Sequence, residues 1–116
     1  MGFVSEWKDN YVVKQVKNLK IPELKNSEKV REELVFSGKV QRVGFRLEVF
    51  ELAKRLELTG WVENLSDGSV RAQVQGDKER IDFLAEFMKS LKRARVDKVL
   101  EIQLEVMEDE KGFIIK

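Results

Sequence analysis

Residues 38–46 read Gly-Lys-Val-Gln-Arg-Val-Gly-Phe-Arg, a glycine-containing loop that runs into a segment of helical periodicity. A loop that opens a helix presents backbone N–H groups that the helix ladder cannot satisfy, and the positive end of the helix dipole points out with them. Such a nest binds an anion. Gly44 lets the backbone curl, and Arg46, in the first helical turn, can lay a planar fork of donors on the oxygens of a bound phosphoryl group. Gln41, Arg42, Val43, Gly44 and Phe45 are therefore a candidate phosphate cradle, with Arg46 as its clamp. The second candidate is Asn64, which closes the run Gly-Trp-Val-Glu-Asn at residues 60–64. An amide carries both donors and an acceptor, so it can orient a water and hydrogen-bond the same ligand if its strand ends beside the loop. Each residue taken alone has a plainer reading. An arginine opening a helix is commonly a solvated surface residue, and Asn64 ahead of Leu-Ser-Asp-Gly suits a turn.

Composition narrows the chemistry. The 116 residues include no cysteine and no histidine. The first absence excludes disulfides, thiolate nucleophiles and cysteine metal sites. The second removes the commonest general base and the commonest metal ligand, so any catalysis must do without a near-neutral proton shuttle. A net charge of +1 gives no case for nucleic acid. Hydrophobic residues at 42% and charged residues at 37% make an ordinary globular composition, enough for one core. No apolar run approaches the ~20 residues of a membrane span, and the N-terminal stretch has no continuous apolar core of the signal-peptide kind. The expected setting is the cytoplasm.

The elements that must position the two candidates follow from periodicity. Residues 33–37, with Leu34, Val35 and Phe36, are expected as a first strand ending at Gly38. Val49, Leu52, Ala53 and Leu56 fall at helical spacing and predict an amphipathic helix from Phe45. Residues 61–65 are strand-like, Ser66-Asp67-Gly68 signals a turn, and Val70, Ala72 and Val74 alternate with polar residues, so the pair reads as a hairpin. Asp77 is placed to cap a second helix with the apolar stripe Ile81, Leu84, Phe87, Met88 and Leu91. Lys89, Lys92, Arg93 and Arg95 crowd its C-terminal end, where cations favour the dipole. Ile102, Leu104 and Val106 alternate with Glu101, Gln103 and Glu105 as a fourth strand, and residues 112–116 supply a short last one. Phe45 and Trp61 are expected between helices and sheet. Strand–helix–strand twice over predicts an α+β, ferredoxin-like (split β-α-β) sandwich, an antiparallel sheet with two helices on one face. Residues 1–31 form an extension ahead of a domain at 32–116. Phe3, Trp7 and Tyr11 recur every four residues beside Val4, Val12 and Val16, giving an N-terminal helical arm that ends before Ile21-Pro22, and a polar linker follows at 26–29. The favoured role for the arm is to cover apolar surface of the domain; self-association or a partner is the other.

In order and spacing, Val-Gln-x-Val-Gly-Phe-Arg at 40–46, then Ala53, Leu56 and Leu58, Gly-Trp-Val-x-Asn at 60–64, Asp-Gly-x-Val at 67–70 and Gly76 resemble the acylphosphatase family. The resemblance covers 32–116 and implies the same fold. It further implies hydrolysis of acyl phosphates to carboxylate and inorganic phosphate with no metal and no other cofactor. Arg46 would bind the substrate phosphate and Asn64 would orient the attacking water, both as catalytic residues, over the loop of Gln41 to Phe45. This chemistry suits a histidine-free chain. The leaving carboxylate has a parent acid of pKa ~4 and departs without a general acid, whereas the alkoxide of a phosphate monoester needs more help.

Two positions depart from the family pattern. Lys92-Arg93-Ala94 replaces the usual Gly-Pro after the second helix, a change expected to affect only a distal turn. Arg42 replaces the usual glycine within the cradle. If that position needs φ > 0, a side chain there costs on the order of 1 kcal/mol and either blocks the loop or adds a second cation to it. Arg42 thus defines the rival reading, a non-catalytic phosphate- or anion-binding or protein-interaction domain. A third reading, single-stranded RNA on the open sheet face, lacks a basic surface and, apart from Trp61, lacks strand aromatics. The expected partners are a small-molecule acyl phosphate and its product phosphate, with no nucleic acid and no membrane.

Overall fold

Period-two alternation decides which side of each strand meets the helices, and the computed structural model shows that division directly. It describes residues 3–116, with side chains from Asn10 onward. In chain order the elements are α1 (Phe3–Asn18), β1 (Lys29–Lys39), α2 (Phe45–Arg55), β2 (Thr59–Asn64), β3 (Val70–Asp77), α3 (Lys78–Lys89), β4 (Arg95–Leu104) and β5 (Phe113–Ile115). They form one sheet of order β4-β1-β3-β2-β5. β1 is antiparallel to β3 and β4, and β2 is antiparallel to β3, as the split β-α-β arrangement requires. β5 is parallel to β2. The sheet is therefore mixed, where the sequence led us to expect an antiparallel one.

Leu34 and Phe36 of β1, Val62 of β2, and Val70, Ala72 and Val74 of β3 are fully enclosed on one face. They share a core with Val49, Leu52 and Ala53 of α2 and Ile81, Leu84 and Met88 of α3. Phe45 meets Phe36 edge-on, with ring centroids 5.1 Å apart and planes at 65°. Trp61 is a correction. It is one residue out of phase with Val62, so it stands on the opposite face, half-buried, with Lys116 Nζ 4.0 Å and Arg71 Cζ 5.4 Å from its ring centroid. That second face has a small polar core of its own. Arg31, only 2% exposed, bonds Gln73 and Gln75 and pairs with Glu110 at 2.7 Å, while Thr59 donates to Glu110 and Gln75 to the Met107 carbonyl. Burial works against ionisation of Glu110, but the bonds from Arg31 and Thr59 outweigh it and hold the carboxyl below its usual range. These contacts lay the segment between β4 and β5 across the sheet.

Three boundaries differ from expectation. β4 begins at Arg95 and ends at Leu104, so Val106 lies outside it; a register shift against β1 between Ser37 and Gly38 breaks the alternation that would have marked its start. β1 begins at Lys29, inside the expected linker and ahead of the expected division between 31 and 32. α3 ends at Lys89, leaving Lys92, Arg93 and Arg95 beyond it. Asp77 does cap α3, accepting from the Glu79 N–H at 3.1 Å, and it also accepts from Ser27 Oγ and Ser27 N, both at 2.6 Å. The Ser27 bonds draw the Asp77 carboxyl below its usual range and pin the chain just before β1 to the sheet's neighbour helix.

α1 lies against α2. Its buried line is Val12 and Val16, at 0% and 2% exposure, while Tyr11 is 46% exposed; the side chains of Phe3, Val4 and Trp7 lie outside the described residues. Arg55 donates to the carbonyls of Val16 and Leu19 where α1 ends, and the Val16 carbonyl also accepts from the Leu19 N–H at 3.2 Å. Among the described residues, no helix is long and apolar enough to cross a membrane. The division of faces yields a stability test. Phe45→Ala should lower the unfolding free energy in urea by about 3–5 kcal/mol through the cavity it leaves, and Trp61→Ala should lower it clearly less. Equal losses would contradict the assignment of the two faces.

Candidate functional site

β1 and β2 are both antiparallel to β3 and so run the same way, and β5 follows β2. The C-terminal ends of all three strands therefore meet at one edge of the sheet, where the loop after β1 turns into α2. Phe36 and Asn64 both pair with Val70, which puts Asn64 in the row of Phe36, two strand spacings or about 10 Å away. Asn64 is exposed and, by alternation, shares with Val62 the face that carries α2.

The loop is shaped by two left-handed residues, Arg42 at φ 65 and Gly44 at φ 77. Gly44 is the N-cap of α2 and offers no side-chain cap, so the first-turn amides have none from it. A Cβ at Gly44 would come within 2.9 Å of Val12 Cγ2, a contact that only glycine avoids. Arg42 stands in the narrow left-handed region that non-glycine residues do enter, at a cost of order 1 kcal/mol. Phe45 anchors the helix start in the core at 1% exposure. Gln41 turns its amide inward: Nε2 donates to the carbonyls of Leu65 at 2.8 Å and Ser69 at 2.9 Å. Both of its side-chain N–H groups are thus committed. Its side chain braces the loop against the β2–β3 turn. That turn is closed by Asp67, which accepts from Ser69 Oγ at 2.6 Å and Ser69 N at 3.0 Å; the bonds from Ser69 hold its carboxyl below the usual range.

Arg46 Nη1 donates to the main-chain oxygen of Lys116 at 3.1 Å, and the Lys116 N–H donates to the Val62 carbonyl at 2.8 Å. The guanidinium is thereby held beside β2, two residues from Asn64 along that strand. Every candidate residue comes to the same sheet edge: Gln41 through the β2–β3 turn, Arg46 through β5, Asn64 at the end of β2.

A family profile described as Acylphosphatase matches residues 32–115. The chain belongs to the acylphosphatase family. An acylphosphatase of Caldanaerobacter subterraneus subsp. tengcongensis is 46% identical to it over 83 residues, 71% of this chain and 92% of that protein. One from Thermococcus kodakarensis is 41% identical over 86 residues, 73% of this chain and 93% of that protein. Among solved structures, an acylphosphatase from Coxiella burnetii superposes with a TM-score of 0.70 at 35% identity, covering 83% of this chain and 100% of the other.

The matched residues of this acylphosphatase-family chain begin after α1, yet α1 touches the loop, as Val12 against Gly44 shows. A second contact overturns an expectation. Arg93, in the segment expected to be a distal turn, reaches back across the domain and donates from Nε to the Val43 carbonyl at 2.6 Å. Its Nη2 pairs with Glu48, and its Nη1 donates to Gln15 Oε1 of α1 at 3.2 Å. Glu48 is fully enclosed in the first turn of α2, and its Oε2 is buried without a hydrogen-bond partner among the described residues. Burial pushes its carboxyl up, against the pull of Arg93. The sequence placed Arg93 in a distal turn and gave Glu48 no role, although one signal was there. Glu48 occupies the apolar phase of α2, one turn before Leu52, and a carboxylate at a core position calls for a cation.

Proposed function

Acyl phosphate hydrolysis is the activity of this family, and we propose that this chain performs it with Arg46 and Asn64 over the loop of Gln41, Arg42, Val43, Gly44 and Phe45. The observation that carries the reading is the left-handed loop at the N-terminus of α2, with an arginine in the first helical turn and an asparagine ending β2 at the same end of the sheet. The phosphoryl group sits in the cradle, its oxygens accepting from main-chain N–H groups and from the Arg46 guanidinium. Asn64 holds a water through its amide, whose oxygen accepts a hydrogen bond and whose NH2 can donate one. The water oxygen attacks phosphorus, the bond from phosphorus to the carboxyl oxygen breaks, and the carboxylate leaves with the electron pair. The water's proton ends on the phosphate. A loose transition state spreads charge over the equatorial oxygens, where fixed donors act most strongly, so positioning and electrostatics supply the acceleration without a histidine.

Val12 and Val16 are spent on the chain's own core, which supports a covering role for the arm ahead of self-association. Against RNA, the ring of Trp61 already carries Arg71 and Lys116, and Glu33 and Glu63 share its face. A cytoplasmic setting belongs to the same proposal and suits a cysteine-free chain.

Benzoyl phosphate, as a generic acyl phosphate, tests the roles. Arg46→Ala should raise KM and lower kcat while the fold persists, and Arg46→Lys should restore little, because a point charge cannot reproduce the fork. Asn64→Ala should lower kcat while inorganic phosphate still inhibits competitively. Near-wild-type turnover by Arg46→Ala would remove the assignment, and loss of phosphate binding with unchanged kcat in Asn64→Ala would reverse the two roles.

The non-catalytic reading rests on Arg42, whose positive φ is the one observation in its favour. The angle lies where arginine is tolerated, and a cation near the cradle attracts a phosphate. Arg42→Gly should therefore change turnover only a few-fold. A rise of about ten-fold or more, equal to ~1.4 kcal/mol of transition-state stabilisation, would favour the binding-module reading instead.

A further inference from the structure

Arg93, Glu48 and Gln15 meet on the outer side of the cradle, and none of the three is a cradle residue. Arg93, from the segment between α3 and β4, holds the Val43 carbonyl at 2.6 Å, the Glu48 carboxylate and the Gln15 side chain at 3.2 Å. Its guanidinium carbon also lies 5.9 Å from the ring centroid of Tyr11 on α1. The fork of an arginine suits such a junction because its donors are fixed in one plane.

We propose that Arg93 is a positioning residue for the phosphate cradle, and that through it the N-terminal helix α1 sets how tightly the cradle binds phosphate. This rests on the cradle reading above and adds to it residues that never touch substrate. The geometry of the peptide bond carries the effect. The Val43 carbonyl and the Gly44 N–H belong to one planar trans unit and point in opposite directions. Fixing the carbonyl on Arg93 fixes the Gly44 N–H to point away from it. Without that bond, a loop already bent through two left-handed residues, Arg42 and Gly44, loses the restraint on the peptide between Val43 and Gly44.

Electrostatics act in the same direction. Glu48 places a carboxylate in the first turn of α2, where it competes with a bound phosphate for the positive end of the helix. Arg93 neutralises it and itself stands beside the N-cap, with Nε and Nη2 3.8 Å from the position a Gly44 Cβ would take. α1 closes the arrangement from outside. Gln15 and Tyr11 hold the far side of the guanidinium, and Val12 packs against Gly44.

Inorganic phosphate affinity, read by amide chemical shifts on the full chain, is the primary measurement, with KM and kcat for benzoyl phosphate beside it. Arg93→Met alone strands a buried carboxylate and risks the fold. The deciding variant is therefore the double change Arg93→Met with Glu48→Leu, which removes both charges but does not replace the bond to Val43. It should melt close to the wild type, bind phosphate about ten-fold more weakly and raise KM to match, with kcat within a few-fold. Arg93→Lys, which keeps a cation but cannot reach three partners, should fold and show a loss in the same direction, and it decides the question if the double variant does not fold. Gln15→Leu, which cuts only the α1 end, should weaken phosphate by a smaller factor. Wild-type phosphate affinity in the double variant or in Arg93→Lys would overturn the proposal. An inert wild type that still binds phosphate would instead count against hydrolysis and leave the positioning of the cradle testable by affinity alone.

Discussion

The left-handed loop that opens α2 is the constraint around which this molecule is built. It demands backbone in left-handed conformations, which Arg42 and Gly44 supply, and such backbone persists only where its surroundings over-determine it. Those surroundings are visible on every side of the loop. Phe45 roots the helix start in the core against Phe36, Gln41 ties the loop to the β2–β3 turn, and Arg93 holds it from the side of α1. A loop left to its own propensities would lose these dihedrals, and with them the geometry on which the proposed cradle rests.

The sheet contributes direction as much as stability. Two crossings place β1 and β2 in the same sense on either side of β3, and β5 extends the set. The loop, the end of β2 and the end of β5 thereby become neighbours without sharing any stretch of sequence. The parallel β5 also gives Arg46 a partner, since Lys116 accepts from it while donating to Val62. On the opposite face the buried Arg31 network fastens the connection that delivers β5 to its edge. Breaking one partner there would leave charge buried and unpaired, so the site depends on a second core with which it shares no residue.

The loop at the start of α2 was legible in the sequence because its determinants are local. Gly44, Phe45 and Arg46 follow one another at a strand-to-helix junction, and helical spacing from Phe45 to Leu56 announces the helix. Asn64 required only the hairpin register to fall into place. What escaped was non-local or out of phase. Trp61 differs from Val62 by one residue, and a short strand read without its register does not say which of the two faces the core. The start of β4 was masked by the shift at Ser37 and Gly38. Arg93 lies fifty residues from the carbonyl it holds, and no periodicity links the two; only the misplaced charge of Glu48 on the apolar stripe of α2 hinted that a cation must arrive from elsewhere. The arm was read correctly as a helix, and among its described side chains the buried ones are Val12 and Val16, with Tyr11 outside that line.

Titration of the isotope-labelled chain with inorganic phosphate, followed through backbone amide shifts, tests the central claim most directly. The account predicts that the largest saturable shifts belong to the amides of residues 41–46, with the side-chain amide of Asn64 moving in step. Saturable shifts centred elsewhere, or binding that leaves Gly44 and Phe45 unmoved, would contradict it.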